Sequence, residues 1–363
     1  MSRKISVLVV DDSALMRKLI PQMLERDPDI HVVGTAMDGG FALHKIAQLK
    51  PDVVTVDLEM PRVKGLDFLR HIMRTSPLPV VIVSAYSTHG ASATFKALAL
   101  GAFDFVAKPQ IGGALGIDAV TAELIAKVKA AAATRPGAAH PIRAFTDSCG
   151  PVARSAATRQ AVGVVAIGAS TGGPNALQYL LSQLPEEFPA AIVVTQHMPA
   201  GFTATFARRL SECTRLEVKE AEAGDTLTAG RVLIAPGNRH MKVRRLPLGG
   251  VILLGDDEPV SGHRPSVDVL FRSVAESFGP SCLAVLMTGM GEDGADGLGA
   301  VKAAGGTTIA QDEESSIVFG MPRAAIARGY AQRVLSLERI APAILAHWSN
   351  QNSVPQRGTA TAV

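Results

Sequence analysis

Aromatic side chains are scarce in this chain: Phe, Tyr and Trp make up 4% of its 363 residues, and there is a single Trp. Hydrophobic residues nevertheless reach 47%. Any core must therefore be built from Val, Leu, Ile, Ala and Met. Cysteine is nearly absent, and Cys149, Cys213 and Cys282 lie far apart. That scatter excludes a zinc spacing and argues against a disulfide framework, so a reducing compartment is expected. Neither sign of charge dominates. Thirty-six Lys and Arg against 33 Asp and Glu leave +3, too little to draw a nucleic acid or an anionic membrane. Long hydrophobic runs are missing too. The N-terminal MSRKISVLVVDD holds an apolar run of about six residues that stops at two aspartates, too short for a signal peptide or a membrane span. The expectation is a cytoplasmic protein with no membrane insertion and no nucleic-acid partner.

What is present is an alternation of strand and helix signals. At about 150 residues per domain the length allows two domains. In the first, ISVLVV (5–10), HVVGTA (31–36), DVVTVD (52–57), PVVIVSA (79–85) and FDFVAKP (103–109) read as short buried strands. Helical spacing follows each, beginning with SALMRKLIPQML, which opens on a good N-cap, Ser13. The pattern restarts at Val162 with VGVVAIGAS, AAIVVTQHM, RVLIAP, KVRRL, VILLG, CLAVLMTG and GTTIAQD as strands, and a possible antiparallel segment around Pro247–Gly250. The predicted fold class is α/β. It comprises two doubly wound, mostly parallel domains, one flavodoxin-like and one a larger three-layer catalytic domain. The expected boundaries are 1–125 and 161–350, with a linker over 126–160 and a disordered tail over 351–363; an ordered hinge is the alternative for the linker.

Asp11 and Asp12 end the first predicted strand and Asp57 the third. In a sheet of order 2-1-3-4-5 those strands flank the switch point, where ligands bind at the carboxyl ends. Three carboxylates there repel one another unless a cation is present, and an all-oxygen ligand set favours Mg²⁺ on Asp12 and Asp57, with Asp11. Lys108 adds fixed positive charge and Ser84 a hydroxyl. This is the equipment of a phosphoryl-transfer site with Asp57 as nucleophile and Ser84 sensing the product. A strand-end aspartate is often only a turn residue, but DD, VDLEMP, VSAYS and AKP occur together and in order. These strings resemble the receiver domain of response regulators. The resemblance implies that Asp57 is the phosphoacceptor, that Phe105 occupies the aromatic switch position, where Tyr is commoner, and that a sensor histidine kinase is the phosphodonor.

In the second domain, Gly168-Ala-Ser170-Thr-Gly172 matches Gly-x-Ser-x-Gly, a nucleophile elbow that lifts Ser170 above the end of a strand. A glycine-rich phosphate loop is the competing reading, though neither G-x-G-x-x-G nor a Walker loop is matched. A serine nucleophile needs a base. Among His197, His240, His263 and His347, His197 ends the strand that follows the elbow helix, and His240 is the runner-up. The base needs an orienting carboxylate. TGMGEDGADG carries Glu292, Asp293 and Asp296 in a further strand-end turn, and the order Ser170, His197, Asp293 differs from that of α/β-hydrolases.

GASTGGP, TQHM, APGNRHM, HRPSVDVLF and TGMGEDGADG resemble the catalytic domain of the chemotaxis protein-glutamate methylesterases. The resemblance implies a Ser170–His197–Asp293 triad, with Thr171 and the Met290 backbone around the oxyanion. It also implies glutamyl methyl ester hydrolysis and glutamine deamidation on the cytoplasmic helices of chemoreceptors, with Mg²⁺ needed for receiver phosphorylation and no cofactor for ester hydrolysis. Two other classes compete: a nucleotide-binding or purely interacting output, and a DNA-binding regulator. The latter is disfavoured by the lack of a helix-turn-helix pattern and a basic face.

Overall fold

Valine- and isoleucine-rich runs bounded by turn residues become strands buried on both faces. In the computed structural model, which describes residues 3–60, 65–85, 87–109, 116–134, 161–247 and 249–351, the chain divides into two compact units. The first sheet contains β1 (Ile5–Val10), β2 (Ile30–Ala36), β3 (Val53–Val56), β4 (Val80–Ser84) and β5 (Asp104–Ala107). Its order is β2-β1-β3-β4-β5 with every pair parallel, as predicted. Helices α1 (Ala14–Leu24), α2 (Gly39–Leu49), α3 (Gly65–Thr75), α4 (Thr88–Ala99) and α5 (Ile117–Ala133) connect and follow the strands. Ser13 caps α1 by accepting from Met16 N, and Asp38 caps α2 by accepting from Phe41 N. Val7, Val9, Val53 and Val83 form one core with Met16 and Ile20 of α1 and Leu124 and Val128 of α5. Leu8, Val54 and Ile82 alternate to the other face and are buried as well.

One expected boundary shifts. Helix α5 runs to Ala133, and Val128 and Ala131 belong to this core, so the unit extends past residue 125. Of the expected linker, residues 135–160 lie outside the described residues, as do residues 352–363 of the expected tail.

The second sheet is larger. Its strands are β6 (Val164–Ala169), β7 (Ala191–Gln196), β8 (Glu217–Glu220), β9 (Arg231–Ile234), β12 (Cys282–Leu286), β13 (Thr307–Gln311) and β14 (Arg333–Leu335). They run in the order β14-β13-β12-β6-β7-β9-β8, all parallel. A separate antiparallel hairpin, β10 (His240–Leu246) with β11 (Gly249–Gly255), accounts for the predicted antiparallel segment. The helices are α6 (Gly173–Ser182), α7 (Thr203–Cys213), α8 (Val267–Phe278), α9 (Ala295–Ala303), α10 (Met321–Ala327) and α11 (Leu337–Gln351). Val267, Leu270, Phe271 and Val274 of α8 pack with Val164, Leu286, Met241 and Ile252 into one aliphatic core. From β6 the chain proceeds to β7 on one side, and it later places β12 on the other. The gap between β6 and β12 is therefore a switch point.

Cys282 is a free thiol whose burial pushes its pKa up to about 11. Cys213 is disulfide-bonded, which the scatter of the cysteines did not suggest. Among the described residues, no helix is long and apolar enough to cross a membrane.

Candidate active site and acidic site

In the first unit, β1 and β3 are neighbours, with Val10 opposite Val56, and Asp57 N donates to the Val10 carbonyl at 2.9 Å. Asp11 and Asp57, each one residue past its strand, are thereby set side by side. Carboxylate oxygens of Asp11, Asp12 and Asp57 all lie within 4.8 Å of one another. Asp11 and Asp57 are buried whereas Asp12 is exposed. Lys108 reaches over from the end of β5, its Nζ 2.7 Å from Asp57 Oδ2 and 3.0 Å from Asp11 Oδ2. Burial pushes the Asp11 carboxyl up, and the charge of Asp57 adds to this against the pull of Lys108. Burial works against the Lys108 ammonium, yet Asp57 and Asp11 hold its pKa above the ordinary value. Gly65, the first residue of α3, admits this packing because a Cβ there would lie 2.6 Å from the Asp57 carbonyl oxygen.

Ser84 ends β4, buried, with its Oγ 2.8 Å from Thr94 Oγ1 of α4. Phe105 is also buried; Lys127 Nζ donates to its carbonyl at 2.6 Å and sits 5.3 Å from its ring centroid. Thr94 and Lys127 escaped the sequence reading because each lies inside a helix, and their contacts with Ser84 and Phe105 arise only from the tertiary fold.

After the second sheet's β6, the turn carries Ser170 and buried Thr171, and Gly172 takes a φ of 77° before α6 begins. Gly173 N donates to the Ser170 carbonyl at 2.8 Å. Strands β6 and β7 pair with Ala169 opposite Gln196, and His197 N donates to the Ala169 carbonyl at 3.1 Å. Ser170 and His197 are therefore carried at the carboxyl ends of adjacent parallel strands. Asp293 comes from the other side of β6, in the turn between β12 and α9. Its Oδ2 is 2.7 Å from His197 Nε2. Met290 lies three residues earlier in that turn and is half-buried.

Asp293 is itself held at the N-terminus of α8. It accepts from Ser266 Oγ at 2.7 Å, from Val267 N at 2.7 Å and from Asp268 N at 3.2 Å. Burial acts against its charge, but the bonds from His197, Ser266 and Val267 hold its carboxyl below the ordinary range. Ser266, the N-cap of α8, is a partner of Asp293 that the sequence reading missed. The capping signal of HRPSVDVLF was visible; its reach to a carboxylate 27 residues on was not.

The alternatives are occupied elsewhere. Asp296 and Glu292 both pair with Arg328. His240 is fully buried, its Nε2 3.0 Å from the Glu258 carbonyl and its Nδ1 accepting from Ser266 N at 3.3 Å. His347 is half-buried, which lowers its pKa, and its Nδ1 lies 3.4 Å from Thr307 Oγ1.

A flavodoxin-like acidic site and a serine–histidine–aspartate constellation at a switch point define a receiver joined to a hydrolase domain. Family models agree with that division: the response regulator receiver domain matches residues 7–115 and the CheB methylesterase residues 165–344. A protein-glutamate methylesterase/protein-glutamine glutaminase of Koribacter versatilis is 58% identical over 93% of this chain and 94% of its own. One from Pseudomonas aeruginosa is 46% identical over 96% and 98%. The crystal structure of the Thermotoga maritima CheB methylesterase catalytic domain is 42% identical, with a TM-score of 0.50, covering 51% of this chain and 98% of that one. The chain belongs to the CheB methylesterase family, with a response regulator receiver domain at its front.

Proposed function

We propose that this enzyme hydrolyses glutamyl methyl esters, and deamidates glutaminyl side chains, on the cytoplasmic helices of chemoreceptors. It works in the cytoplasm, under control of phosphorylation at Asp57 by a sensor histidine kinase. The single observation that carries the reading is the 2.7 Å bond between buried Asp293 and His197, delivered to the strand end next to Ser170. With Asp293 ionised, His197 Nε2 carries the proton of that bond. Its Nδ1 is buried and has no hydrogen-bond partner, so Nδ1 is the nitrogen left to accept a proton. The serine proteases use the opposite nitrogens.

Ser170 Oγ attacks the γ-carbonyl carbon while its proton passes to His197 Nδ1. Negative charge collects on the carbonyl oxygen near the N-terminus of α6, where Thr171 and the Met290 backbone stabilise it. The C–O bond to methanol breaks, and His197 returns its proton to the leaving oxygen; with a glutamine substrate ammonia leaves instead. Water, deprotonated by His197, then cleaves the acyl-serine to glutamate and regenerates Ser170. Asp293 stays ionised throughout and stabilises the imidazolium. Ester hydrolysis needs no cofactor.

In the receiver, three carboxylates crowded within 4.8 Å make an all-oxygen donor set that fits Mg²⁺, and Lys108 neutralises only part of their charge. Asp12 and Asp57, with Asp11, would hold it. When bound, the ion spreads the charge of the transferred phosphoryl group. Asp57 accepts that group, Lys108 contacts its oxygens, and Ser84 and Phe105 respond to it.

Methanol release from methylated receptor membranes, with and without a small phosphodonor, tests the reading. Ser170→Ala should abolish release while thermal unfolding stays near that of the parent chain. Retention of more than a few per cent of the activity would remove Ser170 from the mechanism.

A further inference from the structure

His263 lies face to face with His197, their ring centroids 3.8 Å apart and their planes 11° from parallel. That is closer than most aromatic pairs, whose centroids lie roughly 4.5–7 Å apart. The His197 ring has one hydrogen bond, through Nε2, and Nδ1 has none. A ring held at one atom can tilt about that point, which carries Nδ1 out of the line of proton transfer. A second flat ring across its face removes that freedom.

The segment bearing His263 is built to stay in place. Its backbone pairs with Val260 in both directions, at 3.1 and 2.9 Å, across a tight turn in which Ser261 and Gly262 take φ of 52° and 77°. The next residue, Arg264, spans Asn238 Oδ1 and the carbonyls of Asp256 and Asp257 with its guanidinium. Two residues further on, Ser266 and Val267 donate to Asp293. One short stretch therefore touches both members of the His197–Asp293 pair, the ring through its face and the carboxylate through its oxygens.

We propose that His263 is a positioning residue for the base, fixing the plane of the His197 imidazole by stacking. The inference rests on the triad reading above. A correctly aimed Nδ1 is needed in each proton transfer and not in substrate binding, so its loss falls on kcat.

The test compares His263→Ala, His263→Phe and His263→Asn with the parent chain and with Ser170→Ala. It measures initial rates of methanol release over a range of methylated receptor, with thermal melts showing that each variant is folded at the assay temperature. Misplacement of a reacting group costs up to about a hundredfold. His263→Ala should lose roughly ten- to a hundredfold in kcat with KM changed less than about twofold. His263→Phe keeps a flat face and should recover most of the loss; His263→Asn should resemble Ala. A His263→Ala rate within about twofold of the parent overturns the inference. So does recovery by Asn but not Phe, which would assign the effect to hydrogen bonding, or a change confined to KM, which would make His263 a substrate contact. A parent chain no faster than Ser170→Ala would instead overturn the esterase reading and the inference with it.

Discussion

Both ring nitrogens of His240 are engaged, one on the Glu258 carbonyl and one by Ser266 N–H, inside a fully buried site. A histidine in that position supports the cap of α8 and has no lone pair to offer a substrate. His240→Ala should therefore lower the thermal unfolding temperature, since the buried Ser266 N–H loses its acceptor at a cost of about 1–3 kcal/mol. It should leave methanol release within about tenfold of the parent, whereas His197→Ala should cost roughly 10²–10⁴-fold. The reverse ranking would move the base to His240. In the proposed mechanism Asp293 orients the base, and the same carboxylate is bonded to the start of α8. Its carboxyl titrates below the ordinary value of 3.8 in the folded chain. The stability it contributes is complete above that unfolded value and is lost as the pH falls through the lower folded value. Asp293→Asn turns an acceptor of four bonds into a group with its own N–H donors. Activity should fall severely because the amide no longer selects the productive imidazole tautomer. The melting temperature should drop at neutral pH, and the gap to the parent should narrow under acid. A constant gap from pH 7 to 3 would show that the charge of Asp293 does not stabilise the fold.

Helix α8 is the element on which the catalytic half turns. Its first turn supplies the donors that hold Asp293, its cap Ser266 accepts from Val269 N, and its apolar face fills the core beneath β6. Ser266→Ala removes both a cap and a donor to the carboxylate. Caps are worth about 0.5–2 kcal/mol, so the variant should melt measurably earlier. The looser carboxylate should also lower kcat several-fold at unchanged KM. Loss of stability with full activity would mean that the backbone donors alone orient Asp293. The sequence disclosed elements whose periodicity survives to their ends, such as β1, β7 and α8, and each chemical group that sits at a strand end. It did not disclose β8, whose EVKE is an edge strand with one buried residue, or β14, three residues without a buried one. Helix α10 is short and opens on Met-Pro, and α11 carries Pro342 inside an otherwise regular row of buried Leu337, Ile340, Ile344 and Trp348. A proline within a periodic run reads as a break. Only burial against the sheet keeps such a helix intact. Contacts such as Ser266 with Asp293 or His263 with His197 are set by topology, and no local pattern encodes them.

At the scale of the whole molecule, the acidic site and the hydrolase constellation lie on separate sheets with separate aliphatic cores. Phosphorylation at Asp57 can then alter hydrolysis only by shifting the chain between states that differ in activity. Two mechanisms meet that condition. In one, the receiver restrains the catalytic domain until phosphorylated; in the other, phosphorylation assembles an active dimer. Restraint needs only a few kcal/mol in favour of the inactive state, since each 1.4 kcal/mol changes the active population about tenfold. The two mechanisms part on concentration: release within one chain gives a specific activity independent of protein concentration, and assembly does not. We predict that a fragment beginning near residue 155, which retains the complete core around α8, releases methanol faster than the unphosphorylated full chain, by roughly tenfold or more. Asp57→Ala should keep the full chain at its basal rate and make it indifferent to a phosphodonor that activates the parent. Dilution should leave the phosphodonor response unchanged. If the fragment is slower than the intact unphosphorylated chain, restraint is wrong and the receiver activates its neighbour directly; if the response fades on dilution, assembly replaces release.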